Sequence, residues 1–115
     1  MNSRERGVRG ELLWRDYLRG RGYEKARRGQ QYSGGGDSPD VVGVPGLHNE
    51  VKYTQRLSLY DAVDQSRRDS AGTGNVPIVA HRCNSDHRSS TCRGDWLVIL
   101  SADDFFDLWE QVHGL

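Results

Sequence analysis

Two carboxylates and a lysine lie close together near the middle of the chain: Asp40 is followed ten residues later by Glu50, and Lys52 comes two residues after that. Carboxylate oxygens suit Mg²⁺, which usually keeps several waters and takes one or two carboxylates together with substrate phosphate. Such an ion polarises a phosphoryl oxygen and lowers the pKa of a bound water, while a neighbouring ammonium orients that water or stabilises developing negative charge. The set therefore meets the chemical needs of phosphodiester hydrolysis.

A β-hairpin would bring these side chains together. Residues 40–44 and 48–53 both predict strands, and the Pro-Gly pair between them predicts a tight turn. Side chains two apart on a strand point to the same face, so Glu50 and Lys52 project side by side while Val51 points into the core. The hairpin then places the aspartate beside them at one edge of the sheet.

Each of these features has an ordinary structural explanation when it stands alone. A Glu-x-Lys triplet is common as an exposed ion pair that contributes little, and a Pro-Asp dipeptide is ordinary turn chemistry. The order of the elements favours a site: a helix carrying Glu11, a glycine-rich loop, the Pro-Asp strand, the Glu-x-Lys strand and a further helix.

Three segments predict helices. Residues 3–20 and 58–70 each begin with a serine that can cap the backbone, Ser3 and Ser58. The third helix begins at Ser101 and has acidic residues in its first turn, where they favour the positive end of the helix dipole. Its apolar face comprises Phe105, Phe106, Leu108, Trp109 and Val112.

The remaining strands complete a sheet. Residues 23–32 are polar and fit an edge strand or extended segment, residues 76–81 predict a compact apolar strand, and residues 96–100 predict the central strand. The element order α-β-β-β-α-β-β-α indicates one α/β domain over residues 1–115. We expect a central mixed five-stranded β-sheet flanked by helices.

Composition narrows the class of protein. A chain of 115 residues has the size of one domain. It has no run of about 20 apolar residues, as a membrane span requires, and no apolar segment near its start. We therefore expect a soluble cytoplasmic protein with no membrane partner. We also expect no organic cofactor.

The two cysteines, Cys83 and Cys92, are too few for a disulfide scaffold, and we expect reduced thiols. A zinc site that also uses His81 and His87 is the alternative. Its weakness is spacing, because the sequence has no C-x-x-C or H-x3-H pair.

Charge is unevenly distributed, although the formal net charge is zero. Residues 1–28 hold nine basic and four acidic side chains, whereas residues 101–115 hold four acidic side chains and no Lys or Arg. Only Lys25 and Lys52 among the basic residues are lysines. Arginine suits phosphate because its planar fork donates two parallel hydrogen bonds. The basic residues 1–28 therefore suit binding to a polyanion. For any single arginine, the alternative is a solvated position on a helix face that binds nothing.

The sequence resembles the PD-(D/E)XK nuclease superfamily in two motifs, Ser38-Pro39-Asp40-Val41-Val42-Gly43 and Glu50-Val51-Lys52. It resembles more narrowly the archaeal-type Holliday junction resolvases and their phage-encoded relatives in Arg9-Gly10-Glu11-Leu12-Leu13 and Tyr32-Ser33-Gly34-Gly35. The resemblance covers nearly the whole chain and implies a restriction-endonuclease-like core. The resolvase assignment is the less specific one, because restriction-type and replication-repair nucleases share that core.

The resemblance implies a metal centre. Asp40 and Glu50 would be the metal ligands together with the backbone carbonyl of Val51, and Lys52 would assist the attacking water. Glu11 would hold a second metal or a water-mediated contact. The ion implied is Mg²⁺, with Mn²⁺ as a substitute.

Two auxiliary residues follow from the same resemblance. Ser33 matches a serine that junction resolvases place near the scissile phosphate. Gln65, on the helix after the Glu-x-Lys strand, resembles an auxiliary glutamine of several branches of the superfamily. A solvated helix position is the alternative for Gln65.

The resemblance and the arginines together predict a Mg²⁺-dependent, structure-selective DNA endonuclease that resolves four-way junctions by paired symmetric nicks. A twofold homodimer would supply the two active sites. Phosphate contacts position a duplex without reading its sequence. The expected phosphate-binding residues are Arg4, Arg6, Arg9, Arg27, Arg28, Arg56, Arg67 and Arg68.

Two alternatives stay open. One is another nuclease of the same superfamily that cuts flaps, nicks or linear duplex, and the other is a non-catalytic nucleic-acid-binding module that keeps the fold. The expected location is a bacterial cytoplasm or the cytoplasm of a phage-infected host.

Overall fold

A computed structural model of the chain describes residues 2–29, 39–84 and 94–115. The elements follow one another as α1 (Ser3–Gly20), β1 (Arg27–Arg28), β2 (Val41–Val42), β3 (Leu47–Tyr53), α2 (Leu59–Ser70), β4 (Val76–Arg82), β5 (Leu97–Ile99) and α3 (Ala102–His113). The predicted α/β fold and element order are confirmed. Among the helices in the described ranges, none has both the length and the apolar character needed to cross a bilayer.

The five strands form one mixed sheet in the order β1-β2-β3-β4-β5. Strands β3 and β4 pair in parallel, and the other neighbours pair antiparallel. The predicted hairpin is confirmed, because Val41 of β2 lies opposite Asn49 of β3 and the backbone N–H of Asp40 donates to the Asn49 carbonyl oxygen at 2.9 Å. This pairing fixes the position of Asp40 relative to β3.

The prediction that residues 96–100 form the central strand is wrong. Strand β5 lies at the edge of the sheet, and the side chains of Leu97 and Val98 are 56% and 51% exposed. The central strand is β3, which is more polar because it carries His48, Asn49 and Glu50 in buried positions. Apolar content therefore did not identify the centre of this sheet.

The two faces of β3 meet different helices. On one face, Trp14 and Leu18 of α1 are buried, and the Trp14 indole N–H donates to Asn49 Oδ1 at 3.0 Å. On the other face lies α2, where the buried Ser66 hydroxyl donates to the Ile78 carbonyl oxygen of β4 at 2.9 Å. The main hydrophobic core lies on the α1 side and comprises Trp14, Leu18, Ala26, Val41, Val44, Val51, Ile78 and Ala80.

The helix caps differ in part from the predicted ones. Asn2, not Ser3, caps α1, and its side chain forms a capping box with Glu5. The Ser58 hydroxyl makes no cap hydrogen bond to the α2 backbone and instead donates to Asp61 at 2.7 Å. Ser101 caps α3 as predicted and accepts from the Asp104 N–H at 3.1 Å.

Cys83 takes part in a disulfide bond, so the expectation of a reduced thiol is wrong for this residue. A low cysteine count excludes a disulfide scaffold but does not exclude a single bridge. The bond also removes Cys83 as a thiolate ligand for zinc. His81 donates from its ring Nε2 to the Thr54 carbonyl oxygen at 2.9 Å, while His87 and Cys92 lie outside the described residues.

Close contact between α1 and β3 depends on the absence of a side chain at Gly10. A Cβ atom built there would lie 2.5 Å from Tyr53 Cβ, whereas one built at Gly7 would meet nothing within 4 Å. We expect Gly10→Ala to lower the free energy of unfolding by about 1 to 3 kcal/mol through overpacking. Gly7→Ala in the same helix is the matched control and should raise it by about 0.5 to 1 kcal/mol. Urea denaturation measures both, and equal effects of the two variants would contradict this packing.

Candidate active site

One cleft of about 370 Å³ holds four of the predicted catalytic side chains. It lies between the first half of α1 and the β2–β3 hairpin, and Glu11, Asp40, Glu50 and Lys52 line it. Arg6 lines the same cleft from α1. The hairpin thus supplies Asp40, Glu50 and Lys52, and α1 supplies Glu11.

Asp40 is held at the start of β2 by the neighbouring strand. Its Oδ2 atom accepts a hydrogen bond from the backbone N–H of Val51 at 2.8 Å. This bond places the aspartate carboxylate next to the peptide that separates Glu50 from Lys52. The Val51 side chain is 9% exposed and packs in the core, as the alternation along the strand predicted.

Glu50 is buried, with its side chain only 6% exposed. Burial, the neighbouring charge of Asp40 and a side-chain hydrogen bond with Asp40 raise the pKa of Glu50 to about 8, against the lowering effect of Lys52. The ordinary explanation of a Glu-x-Lys triplet is an exposed ion pair, and the burial of Glu50 differs from it. A buried carboxylate beside a second carboxylate has the character of an acid–base or cation-binding group.

Lys52 connects the cleft to α2. Its Nζ atom lies 3.8 Å from Glu50 Oε1 and donates to Gln65 Oε1 at 3.4 Å. The Lys52 side chain is 30% exposed, so it is only partly shielded from solvent. Gln65 is partly buried and accepts this hydrogen bond, which favours a contact with the lysine over a solvated helix position.

Glu11 faces the hairpin from α1 and is paired with an arginine. Arg28 Nε lies 2.9 Å from Glu11 Oε1, and the glutamate side chain is 16% exposed. Partial burial raises the pKa of Glu11, the hydrogen bond from Arg28 opposes this, and the charge of Asp40 adds to the rise. The Asp40 carboxylate thus lies close enough to both glutamates to raise their pKa values.

The predicted phosphate-binding arginines are all exposed, but two of them have carboxylate partners. Arg28 pairs with Glu11, as described above, and Arg68 lies 3.2 Å from Asp64 on the same helix. Arg6 is the member that lines the cleft. The rest lie on α1, on β1 or near α2: Arg4, Arg9, Arg27, Arg56 and Arg67.

The donor set at the cleft fits a hard divalent cation. Asp40 and Glu50 offer carboxylate oxygens, and the Val51 backbone lies between them in the lining of the cleft. Without a cation the two carboxylates are linked by a hydrogen bond, which requires a shared proton. Mg²⁺ accepts this kind of oxygen ligand set and would take the place of that proton.

Sequence reasoning missed two residues that adjoin the cleft. His48 lies two positions before Glu50 on the same face of β3, and Asp69 lies four positions after Gln65 on α2. Ligand atoms of His48, Glu50 and Asp69 all lie within 4.8 Å of one another. The two-residue alternation that paired Glu50 with Lys52 would have identified His48, had it been extended backwards along the strand.

Ser33, the predicted auxiliary residue of the glycine-rich loop, lies outside the described residues. Comparisons of the chain with protein-family models, with curated proteins and with solved structures find no match. The catalytic roles given above therefore stay predictions.

Proposed function

We propose that this chain is a Mg²⁺-dependent, structure-selective DNA endonuclease. The observation that carries the proposal is the buried Glu50 carboxylate, hydrogen-bonded to Asp40 and 3.8 Å from the Lys52 ammonium in one cleft. Burying the Glu50 carboxylate next to the partly buried Asp40 is costly, and a bound divalent cation offsets that cost. The sequence resemblance to PD-(D/E)XK nucleases assigns the same residues to this chemistry.

In this proposal each residue of the cleft has a distinct task. Asp40, Glu50 and the Val51 carbonyl hold Mg²⁺, which supplies Lewis-acid polarisation of the phosphate and a more acidic water. Lys52, steadied by Gln65, orients the attacking water and stabilises charge that develops on the phosphate. Glu11 adds a third carboxylate at the α1 wall.

DNA is the proposed substrate because the helix that forms one wall of this cleft carries several exposed arginines. Arg6 lines it, and Arg4 and Arg9 extend from the same helix. Arginine forks bind phosphate oxygens and attract a duplex irrespective of its sequence. Recognition by backbone contacts favours selectivity for DNA shape, and a four-way junction is the proposed target.

A homodimer is proposed to supply the two active sites that paired nicks require. An apolar groove of about 690 Å³ lies between α1 and α3, with Trp14, Leu18, Leu108 and Trp109 among its lining residues. No residue of α3 is buried in the single chain. The four acidic side chains of α3 complement the arginines at the end of α1, which favours a second copy as the occupant.

Substrate choice tests the function. Labelled four-way junction, flap, linear duplex and single-stranded DNA are incubated separately with the wild type and Mg²⁺, and cleavage rates and positions are compared. We expect the junction to be cut fastest, by nicks placed symmetrically on two strands. Linear duplex cut as fast as the junction would contradict the resolvase assignment, and preferred flap cleavage would favour the alternative nuclease class.

The dimer surface gives a separate prediction. Val112 lines the groove and its side chain is 80% exposed, so Val112→Glu should leave the fold intact. We expect this variant to weaken dimerisation at least about 30-fold, because it would bury an unpaired carboxylate in the apolar groove. Tyr60→Glu, at an 87% exposed aromatic on α2, is the matched control and should remain dimeric. Light scattering coupled to size exclusion measures both, and a monomeric wild type would contradict the proposed dimer.

A further inference from the structure

A second cluster of potential ligands lies deeper than the cleft, on the face of β3 that meets α2. It comprises His48 and Glu50 of β3 and Asp69 of α2. One ligand atom from each of these residues lies within 4.8 Å of the other two. Two different elements therefore converge on one point, with one imidazole and two carboxylates.

The cluster holds polar atoms that no hydrogen bond explains. The His48 side chain is 2% exposed, and both His48 Nε2 and Asp69 Oδ2 are buried without a hydrogen-bond partner among the described residues. Buried polar atoms in folded proteins are almost always paired, so each exception requires an explanation. A hydrogen bond between His48 Nε2 and Asp69 Oδ2 would satisfy both atoms, yet the two atoms make no such bond.

The chemistry of the cluster favours a cation. The buried Glu50 carboxylate and the partly buried Asp69 carboxylate lie near each other, and a positive ion between them would relieve their repulsion. Ligand atoms about 2.1 Å from a common ion lie at most about 4.2 Å apart, so atoms now within 4.8 Å of one another would draw closer together on binding it. An imidazole nitrogen beside two carboxylates suits Mn²⁺ or Zn²⁺ better than Mg²⁺, which prefers an all-oxygen set.

We propose that His48, Glu50 and Asp69 form a second cation site that takes a divalent transition-metal ion such as Mn²⁺. The Asp40 carboxylate belongs to the cleft, His48 and Asp69 belong to this inner site, and Glu50 is shared between them. The inner site is defined by metal binding alone and does not require that the chain cleave DNA. Its occupancy would keep the shared Glu50 carboxylate ionised for the cleft.

Electron paramagnetic resonance with Mn²⁺ as the probe tests the inner site directly. Metal-free full-length protein is loaded with Mn²⁺, and electron spin echo modulation reports whether an imidazole ¹⁴N nucleus is bound to the ion. We expect ¹⁴N modulation in the wild type and its loss in His48→Gln. His113→Gln is the matched control, because His113 lies exposed at the end of α3, and its spectrum should equal that of the wild type.

Two further variants separate the inner site from the cleft. Asp40→Asn should keep the ¹⁴N-coupled ion, since Asp40 is not part of the inner cluster. Asp69→Asn should weaken binding of that ion at least about 10-fold, the lower end for groups that support a metal site. Because His48 is fully buried and its variant is at risk of misfolding, the partly buried Asp69 provides an independent test.

Thermal unfolding gives a readout that does not depend on activity. Mn²⁺ should raise the Tm of the wild type and of Asp40→Asn by several degrees, and should raise the Tm of Asp69→Asn by less, because this variant retains only the cleft and a weakened inner site. Three results would each overturn the inner site: no ¹⁴N modulation in the wild type, modulation that persists in His48→Gln, or loss of all Mn²⁺ binding in Asp40→Asn. Failure of the proposed nuclease function would instead appear as absent cleavage with the ¹⁴N signal intact.

Discussion

Asp40→Asn is expected to lower the Mg²⁺-dependent cleavage rate about a thousandfold or more, which corresponds to the loss of several kcal/mol of metal-based transition-state stabilisation. Asparagine keeps the size of the side chain and an oxygen that can accept the hydrogen bond now made by the Val51 N–H. The fold of the hairpin should therefore survive. What is lost is the negative charge that pairs with Glu50 to hold the ion.

DNA binding should respond in the opposite direction. Removing a carboxylate from the cleft lessens repulsion of the phosphates, so junction affinity should stay equal or increase. Asp16→Asn is the matched control, because Asp16 lies on α1 outside the cleft, pairs with Arg15 and is 59% exposed. Single-turnover cleavage and a gel-shift titration measure the two properties. Wild-type cleavage by Asp40→Asn would remove this carboxylate from the mechanism.

The stability of the metal-free protein is expected to fall as the pH rises. Burial and the neighbouring Asp40 raise the pKa of Glu50 from 4.5 to about 8 in the folded protein. Between these values the folded state keeps a proton that the unfolded chain has released, so the stabilisation is fully present below pH 4.5 and is lost as the pH rises through about 8. The loss is about 1.4 kcal/mol for each pH unit within that window.

Glu50→Gln tests this dependence, because glutamine resembles the protonated glutamate and cannot ionise. We expect the variant to match the wild type near pH 4.5 and to become increasingly more stable than it towards pH 8. Denaturant unfolding at a series of pH values in the presence of a chelator measures the difference. A difference that stays constant over this range would show that Glu50 titrates with an ordinary pKa.

Cation binding should depend on pH through the same Glu50 proton, but with the opposite sign. Because a bound divalent ion requires Glu50 to be ionised, the ion must displace that proton, and affinity should rise with pH up to about 8. Added Mg²⁺ should accordingly restore wild-type stability most strongly at high pH, and should have less effect on Glu50→Gln.

Much of the site could be predicted because its geometry is local. The turn between β2 and β3 sets the position of Asp40 against β3, and the alternation along a strand sets Glu50 beside Lys52 with Val51 in the core. These relations depend on a few neighbouring residues. The order of elements along the chain similarly determined the mixed sheet and its helices.

The contacts that could not be predicted from the sequence are those between elements far apart in the chain. Asp69 meets His48 only because α2 crosses β3 at a particular place, and no local pattern specifies that crossing. Strand β5 is a second case in which the sequence did not reveal the tertiary environment. Its Leu97 and Val98 predict burial, yet they lie at an exposed sheet edge, where apolar surface can serve an interface as well as a core.

Cleavage of a labelled four-way junction by the wild-type chain tests the central proposal most directly. Metal-free protein is mixed with the junction under single-turnover conditions. Mg²⁺ is then added to one sample and a chelator to the other. We predict nicks at symmetric positions on two strands with Mg²⁺ and none with chelator. Tight junction binding without cleavage in either Mg²⁺ or Mn²⁺ would contradict the nuclease proposal and would favour a non-catalytic nucleic-acid-binding module.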